Sequence, residues 1–169
     1  MVPVVVWAIL DNRLGLAFWL FVGAGLSDAI DGFLARRLSC ISVVGAYLDS
    51  LADKALLMCI YVTLGTEGYL PNWIVILVVS RDVLIIGGAM LYQLLSDNLK
   101  MEPLFISKIN TLVQIVLAGF VLGSNGLGVA AALPINVLVW LAGATTLISG
   151  GSYVIGWSAK AASLEESQK

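Results

Sequence analysis

The sequence predicts an all-α, polytopic membrane protein, a six-helix transmembrane bundle whose first helix is cut short. Three observations predict it. The 169 residues are 60% hydrophobic and only 12% charged, with a mean hydropathy of +0.98, whereas a soluble domain carries about 25% charged residues. No charged residue occurs between Ile109 and Trp157, a stretch longer than one bilayer crossing of roughly 20 residues and suited to two. Apolar runs of crossing length recur through the rest of the chain, each stopped by a polar or glycine-containing interruption. A net charge of −2 offers no basic surface for nucleic acid, and the absence of histidine removes imidazole acid–base chemistry.

The elements follow in order. Met1 to Leu10 is apolar but supplies about half a crossing before Asp11-Asn12-Arg13. Val2-Pro3 reads as the interior of a segment, and no basic region or small-residue cleavage site marks a signal peptide. We expect the second half of a helix whose first half lies upstream; a short re-entrant or interfacial piece is the alternative. Leu14 to Arg36 is one helix, apolar through Leu26 and acidic in its last turns. Ile41 to Leu64 is the next, with Asp49, Asp53 and Lys54 in its first half. Gly65-Thr66-Glu67-Gly68 turns the chain, Pro71 suits a helix start, and Leu70 to Leu95 carries Arg81 and Asp82 near its middle. A polar linker, Ser96 to Pro103, leads to Phe105–Leu122. The charge-free stretch divides near Ser124-Asn125-Gly126 or Pro134, so that Ile135–Ala159 is the last crossing and Ser163–Lys169 a frayed polar tail. Cys40 and Cys59 form no CxxC pair and read as small apolar packing residues. Arg36, Arg37, Lys100, Lys108 and Lys160 fall on one side of this alternating path, opposite Glu67, which makes theirs the cytoplasmic side.

Four carboxylates stand out against this background. The run reads Asp28-x-x-Asp31-Gly32-x-x-Ala35-Arg36, then, after eight residues, Gly45-x-x-x-Asp49-x-x-x-Asp53. Ionisable groups at membrane depth are costly and point to function. Asp28 and Asp31 share one helical face, as do Asp49 and Asp53. The intervening reversal sets the two faces against each other, so that both pairs can enclose one or two cations. With oxygen the only side-chain donor on offer, Mg²⁺ or Mn²⁺ is favoured over Zn²⁺, and a two-ion clamp suits phosphoryl displacement. Gly32 and Gly45, each four residues from an aspartate, let a flat or phosphate-bearing ligand approach the backbone, and Ala35 keeps that face small; close helix packing is the alternative for the glycines. Arg36 can pair with phosphate or anchor the helix end. Arg81 is too deep for an anchor and is expected to bind phosphate or fix a carboxylate, with a pair to neighbouring Asp82 disfavoured because adjacent helical residues do not face each other. Lys108 can reach a phosphate or snorkel to the interface.

The run from Asp28 to Asp53 resembles the complete signature of the CDP-alcohol phosphatidyltransferases, with no position departing from it. The resemblance implies a six-helix membrane enzyme, usually a homodimer, that displaces CMP from a CDP-linked lipid with a hydroxyl acceptor. It implies that Asp28, Asp31 and Asp49 are metal ligands, that Asp53 lies at the same centre as general base, and that Gly32, Ala35 and Gly45 line the cytidine nucleotide. On this basis residues 1–162 form the membrane domain and 163–169 a tail, set in a bacterial inner (plasma) membrane with the site facing the cytoplasm.

The acceptor is read from outside the signature. Ser107-Lys108-Ile109-Asn110-Thr111 with Gln114, and the Leu-Ala-Asp-Lys continuation after Asp49, resemble the cardiolipin synthases that transfer phosphatidyl from CDP-diacylglycerol to phosphatidylglycerol. Phosphatidylglycerophosphate synthases, whose acceptor is glycerol-3-phosphate, tend to carry a second lysine where Asn110 stands. The expectation is therefore cardiolipin synthesis, with phosphatidylglycerophosphate synthesis as the alternative. A transporter or ion-binding protein is the different-class alternative, and the gathering of the aspartates toward one side argues against it.

Overall fold

Six α-helices form where the apolar runs stand: α1 (Val2–Leu10), α2 (Leu14–Leu38), α3 (Val43–Thr66), α4 (Asn72–Leu95), α5 (Phe105–Gly126) and α6 (Ala132–Ser167). The computed structural model describes residues 2–38, 43–95, 105–129 and 132–167, with side-chain surroundings for 2–27, 30, 52–88, 106–129 and 132–153. Cys40 and Lys100 lie outside the described residues.

Three helices end in the same way. Asn12, Gly68 and Gly128 have φ of 60°, 78° and 68°, the left-handed conformation that stops a helix and turns its last carbonyls inward. After α3, the Tyr69 N–H donates to the Leu64 carbonyl at 2.9 Å and the Gly68 N–H to Gly65 at 3.1 Å. After α1, Arg13 donates to Ala8 (2.9 Å) and Asn12 to Ile9 (3.0 Å); after α5, Val129 donates to Ser124 (2.9 Å). Glycine adopts such a φ without steric cost, and asparagine tolerates it better than most.

Two boundaries differ from expectation. The divide in the charge-free stretch falls after Gly126, because Asn125 Nδ2 (2.8 Å) and Ser124 Oγ (3.3 Å) bond back to the Val121 carbonyl and keep those residues inside the last turn of α5. Pro134 lies within the first turn of α6, where its missing N–H costs nothing. The backbone of α6 also continues past Ala159 to Ser167, into the stretch expected to fray.

The turns place the ends. Tyr69 Oη donates to Asn12 Oδ1 at 2.9 Å, joining the ends of α1 and α3. Gly126 meets the start of α2: a Cβ there would sit 2.5 Å from the Gly15 nitrogen and 2.6 Å from its Cα. The two backbones touch, an approach that small residues permit and that membrane helices exploit. The ends of α1, α3 and α5 and the start of α2 thus share one end of the bundle, the far end. α1 packs on α2 and α3, α5 on α2, α3 and α6, and α4 on α3 and α6. Trp73 and Trp140 close the α4–α6 contact, their ring centroids 5.2 Å apart.

Ile106–Gly126 and Ala132–Tyr153 are long and apolar enough to cross a membrane, and Leu14–Ser27 is a shorter apolar stretch. Polar residues share the interior with an apolar core. Thr63, Arg81, Asp82, Ser107, Asn110, Gln114, Thr146 and Ser149 are inside, while Leu133, Val137, Trp140, Leu147 and Ile148 face outward along α6. A hydrocarbon surround favours that arrangement, because buried polar groups find partners there and exposed apolar ones cost nothing.

Candidate functional site

The aspartates lie at the end opposite the three turns. Asp28 stands about 21 Å along α2 from Leu14, and Asp53 about 20 Å along α3 from Thr66, at the helical rise of 1.5 Å per residue. Asp28, Asp31, Gly32, Ala35 and Arg36 are on the α2 backbone, and Gly45, Asp49 and Asp53 on that of α3. Spacings of four put Gly45, Asp49 and Asp53 in one stripe and pair Asp28 with Gly32 and Asp31 with Ala35. The side chains of Asp28, Asp31, Gly32, Ala35, Arg36, Gly45 and Asp49 lie outside the described residues; Asp53 is exposed. Among the described residues no three His, Cys, Asp or Glu side chains cluster, Asp53 being the one described member of the four.

α2 and α3 do not pack on each other among the described residues; α1 touches both, and so does α5. An all-oxygen donor set carried on two helices suits hard cations of high coordination number.

Beside the aspartate helices stands a buried polar node built from α4, α5 and α6. Arg81 is 4% exposed and Asp82 2%. Arg81 Nη1 donates to Asp82 Oδ1 at 2.5 Å, while Nη2 donates to Ser107 Oγ on α5 (2.7 Å) and Ser149 Oγ on α6 (2.6 Å). The pair that was disfavoured is thus present. The spacing rule describes where Cβ atoms point; the long arginine stem curls back past Gly150, whose added Cβ would sit 3.6 Å from Arg81 Cγ, and its fork reaches three partners at once. Both terminal nitrogens of Arg81 are engaged inside the bundle.

A second rung lies one turn farther along. Asn110 is fully buried, and Thr145 Oγ1 and Thr146 Oγ1 donate to its Oδ1 at 2.8 and 2.9 Å. Tyr61 Oη on α3 donates to the Gln114 carbonyl at 3.1 Å. Arg81 Nε, Asn110 Nδ2 and Gln114 Nε2 are buried donors without a hydrogen-bond partner among the described residues. Each such donor costs about 1–3 kcal/mol in a dry interior. Lys54 on α3, half-buried, lies within electrostatic reach of both Asp82 and Arg81. Lys108, next to Ser107, is exposed at the same end.

Sequence reasoning picked out Arg81, Lys108, Asn110 and Gln114, and missed Ser149 and the burial of Tyr61. Ser149 had a readable signal, a polar residue three positions beyond Thr146 in the charge-free part of α6. A groove of ≈ 190 Å³ between α4 and α6 runs past Arg81, Gly150 and Tyr153. A hollow of ≈ 410 Å³ around Asn12, Arg13 and Tyr69 lies at the far end, away from the aspartates.

Comparison with known proteins adds the chemistry. The model of the CDP-alcohol phosphatidyltransferase family matches residues 1–148. The chain is 38% identical to the chloroplastic CDP-diacylglycerol–glycerol-3-phosphate 3-phosphatidyltransferase 1 of Oryza sativa subsp. japonica, over 90% of this chain and 52% of that protein. It is 31% identical to the CMP-forming cardiolipin synthase of Homo sapiens, over 89% of this chain and 56% of that protein. It is 29% identical to the CDP-diacylglycerol–glycerol-3-phosphate 3-phosphatidyltransferase of Rickettsia felis, over 90% of this chain and 86% of that protein. The chain therefore spans about half the length of the rice and human relatives.

Proposed function

Because the chain belongs to the CDP-alcohol phosphatidyltransferase family, we propose that it transfers the phosphatidyl group of CDP-diacylglycerol to the primary hydroxyl of glycerol-3-phosphate, giving phosphatidylglycerophosphate and CMP. The observation that carries this choice of acceptor is the 38% identity to the rice glycerol-3-phosphate enzyme, against 31% to human cardiolipin synthase. The earlier preference for phosphatidylglycerol rested on Asn110 standing where a second lysine is common. Asn110 is fully buried and accepts from two α6 threonines, so helix packing accounts for its identity without reference to the acceptor's charge.

On this reading Asp53 takes the proton from the acceptor hydroxyl. The freed oxygen forms a bond to the phosphatidyl phosphorus, and the anhydride bond to CMP breaks. Asp28, Asp31 and Asp49 together with Asp53 would hold two divalent cations, Mg²⁺ or Mn²⁺, which when bound supply positive charge for the diphosphate. Gly32, Ala35 and Gly45 give the nucleotide a side-chain-free wall. Arg36 and Lys108 offer charge to phosphate, and Arg81 holds the helices that carry this end. The enzyme sits as a homodimer in a bacterial inner membrane with the site toward the cytoplasm, in accord with the basic residues gathered there.

A second reading keeps the same core and takes phosphatidylglycerol as acceptor, favoured by the Ser107–Thr111 stretch and by the similarity to human cardiolipin synthase. Purified protein given CDP-diacylglycerol with each acceptor separately, with lipid products identified by mass, decides. Phosphatidylglycerophosphate formed alongside equimolar CMP supports the proposal; cardiolipin as the product replaces it with the second reading. CMP release with neither acceptor would remove both.

A further inference from the structure

We propose that the two polar rungs joining α5 to α4 and α6 are a positioning device for the acceptor, with Thr146 a positioning residue that acts through Asn110 to fix the rotation of α5 and hence the place of Lys108. The inference rests on the transferase reading above and deepens it.

Ser107, Asn110 and Gln114 follow one another at helical spacing along a single buried face of α5. Antiparallel α6 answers in register: Ser149 shares Arg81 with Ser107, and Thr145 with Thr146 meets Asn110 one turn farther from the aspartate end. Lys108 is exposed and flanked by the two pinned positions, about 100° around the helix from Ser107.

The close approach of α5 to α2, Gly123 against the Phe18 ring and Gly126 against the Gly15 backbone, lies toward the far end. In lipid, apolar faces gain little by choosing one partner over another, whereas hydrogen bonds require particular atoms to meet. Turning α5 by one residue would break both rungs together and carry Lys108 about 100° away. CDP-diacylglycerol is assigned to α2 and α3, so a device on α5 and α6 bears on the acceptor and not on the donor.

The test is Thr146→Val, which keeps shape and removes the hydroxyl, with Thr146→Ser as the rescue. Steady-state kinetics with CDP-diacylglycerol and whichever acceptor the wild type consumes should show the acceptor KM raised at least fivefold in Thr146→Val, with the CDP-diacylglycerol KM within twofold of wild type and Thr146→Ser restored to within twofold. A second readout needs no activity: the rate at which Lys108 is acylated in detergent, followed by peptide mass, should change at least threefold in Thr146→Val and return in Thr146→Ser. An unchanged Lys108 rate overturns the proposal, as does a parallel rise of both KM values, which a merely structural role would give. A wild type that uses neither acceptor refutes the transferase reading, and the Lys108 rate then decides the positioning claim alone.

Discussion

Arg81→Met is the perturbation that bears most directly on how the bundle is held. It removes donations to Asp82, Ser107 and Ser149 and leaves the Asp82 carboxylate, 2% exposed, without the guanidinium that donates to it. Breaking a buried pair by removing one partner costs about 3–5 kcal/mol. Bonds to a charged group are worth about 1.5–3 kcal/mol each when measured singly, so the pair alone accounts for most of that figure. The carboxylate can escape part of the cost by taking up a proton, which sets the expected loss near the lower bound. Arg81→Met with Asp82→Leu removes both partners, and an apolar replacement of a buried pair is often neutral. The double variant should therefore be more stable than Arg81→Met by about 2 kcal/mol or more, a strong non-additivity. The assay is reversible unfolding in mixed micelles followed by tryptophan fluorescence on all four members of the cycle. A double variant that loses the sum of the two single losses would refute the pairing of Arg81 with Asp82.

Other outcomes follow from the same geometry. Gly126→Ala forces a Cβ to within 2.5 Å of the Gly15 nitrogen and should destabilise by about 1–3 kcal/mol, read as a lowered melting temperature, while product identity stays the same because the contact is at the far end. Asp53→Asn should lower kcat by about 10²-fold or more, the range of a lost general base, with CDP-diacylglycerol binding retained; equal turnover from pH 6 to 9 on an order-of-magnitude scale would free Asp53 of that role. Exhaustive chelation should abolish CMP release and added Mg²⁺ or Mn²⁺ restore it, as an all-oxygen donor set requires; activity persisting in protein shown metal-free by elemental analysis would contradict the assignment of the four aspartates.

Much of the fold was legible because helix ends and lipid-length runs are local signals. The Gly65–Gly68 turn became a helix stop at Gly68, and Asp11-Asn12-Arg13 became another at Asn12, each through a residue whose backbone tolerates positive φ. The end of α5 was placed too early because Ser124 and Asn125 read as loop residues, whereas their side chains bond back to Val121 and extend the helix. The site was legible in part for a similar reason. Spacings of three and four put each aspartate pair on one face, but nothing in the spacing says that α1 and α5 lie against both α2 and α3. The Arg81–Asp82 pair was missed because a rule about Cβ directions was applied to a side chain long enough to fold back. Asn110 was weighed as a lost charge; its partners are 35 and 36 residues away on α6, and sequence periodicity carries no information about such partners.

The central claim is that an acceptor hydroxyl oxygen becomes the new bridge to the phosphatidyl phosphorus, and that glycerol-3-phosphate supplies it. One reaction tests both parts: CDP-diacylglycerol, unlabelled phosphatidylglycerol, and glycerol-3-phosphate carrying oxygen-18 at its primary hydroxyl, with products resolved by mass. The account predicts phosphatidylglycerophosphate that retains the heavy oxygen in its bridging position, and CMP that contains none. Cardiolipin as the product would contradict the acceptor, and phosphatidate released with the heavy oxygen in a cytidine-linked glycerol phosphate would contradict the bond that is said to break.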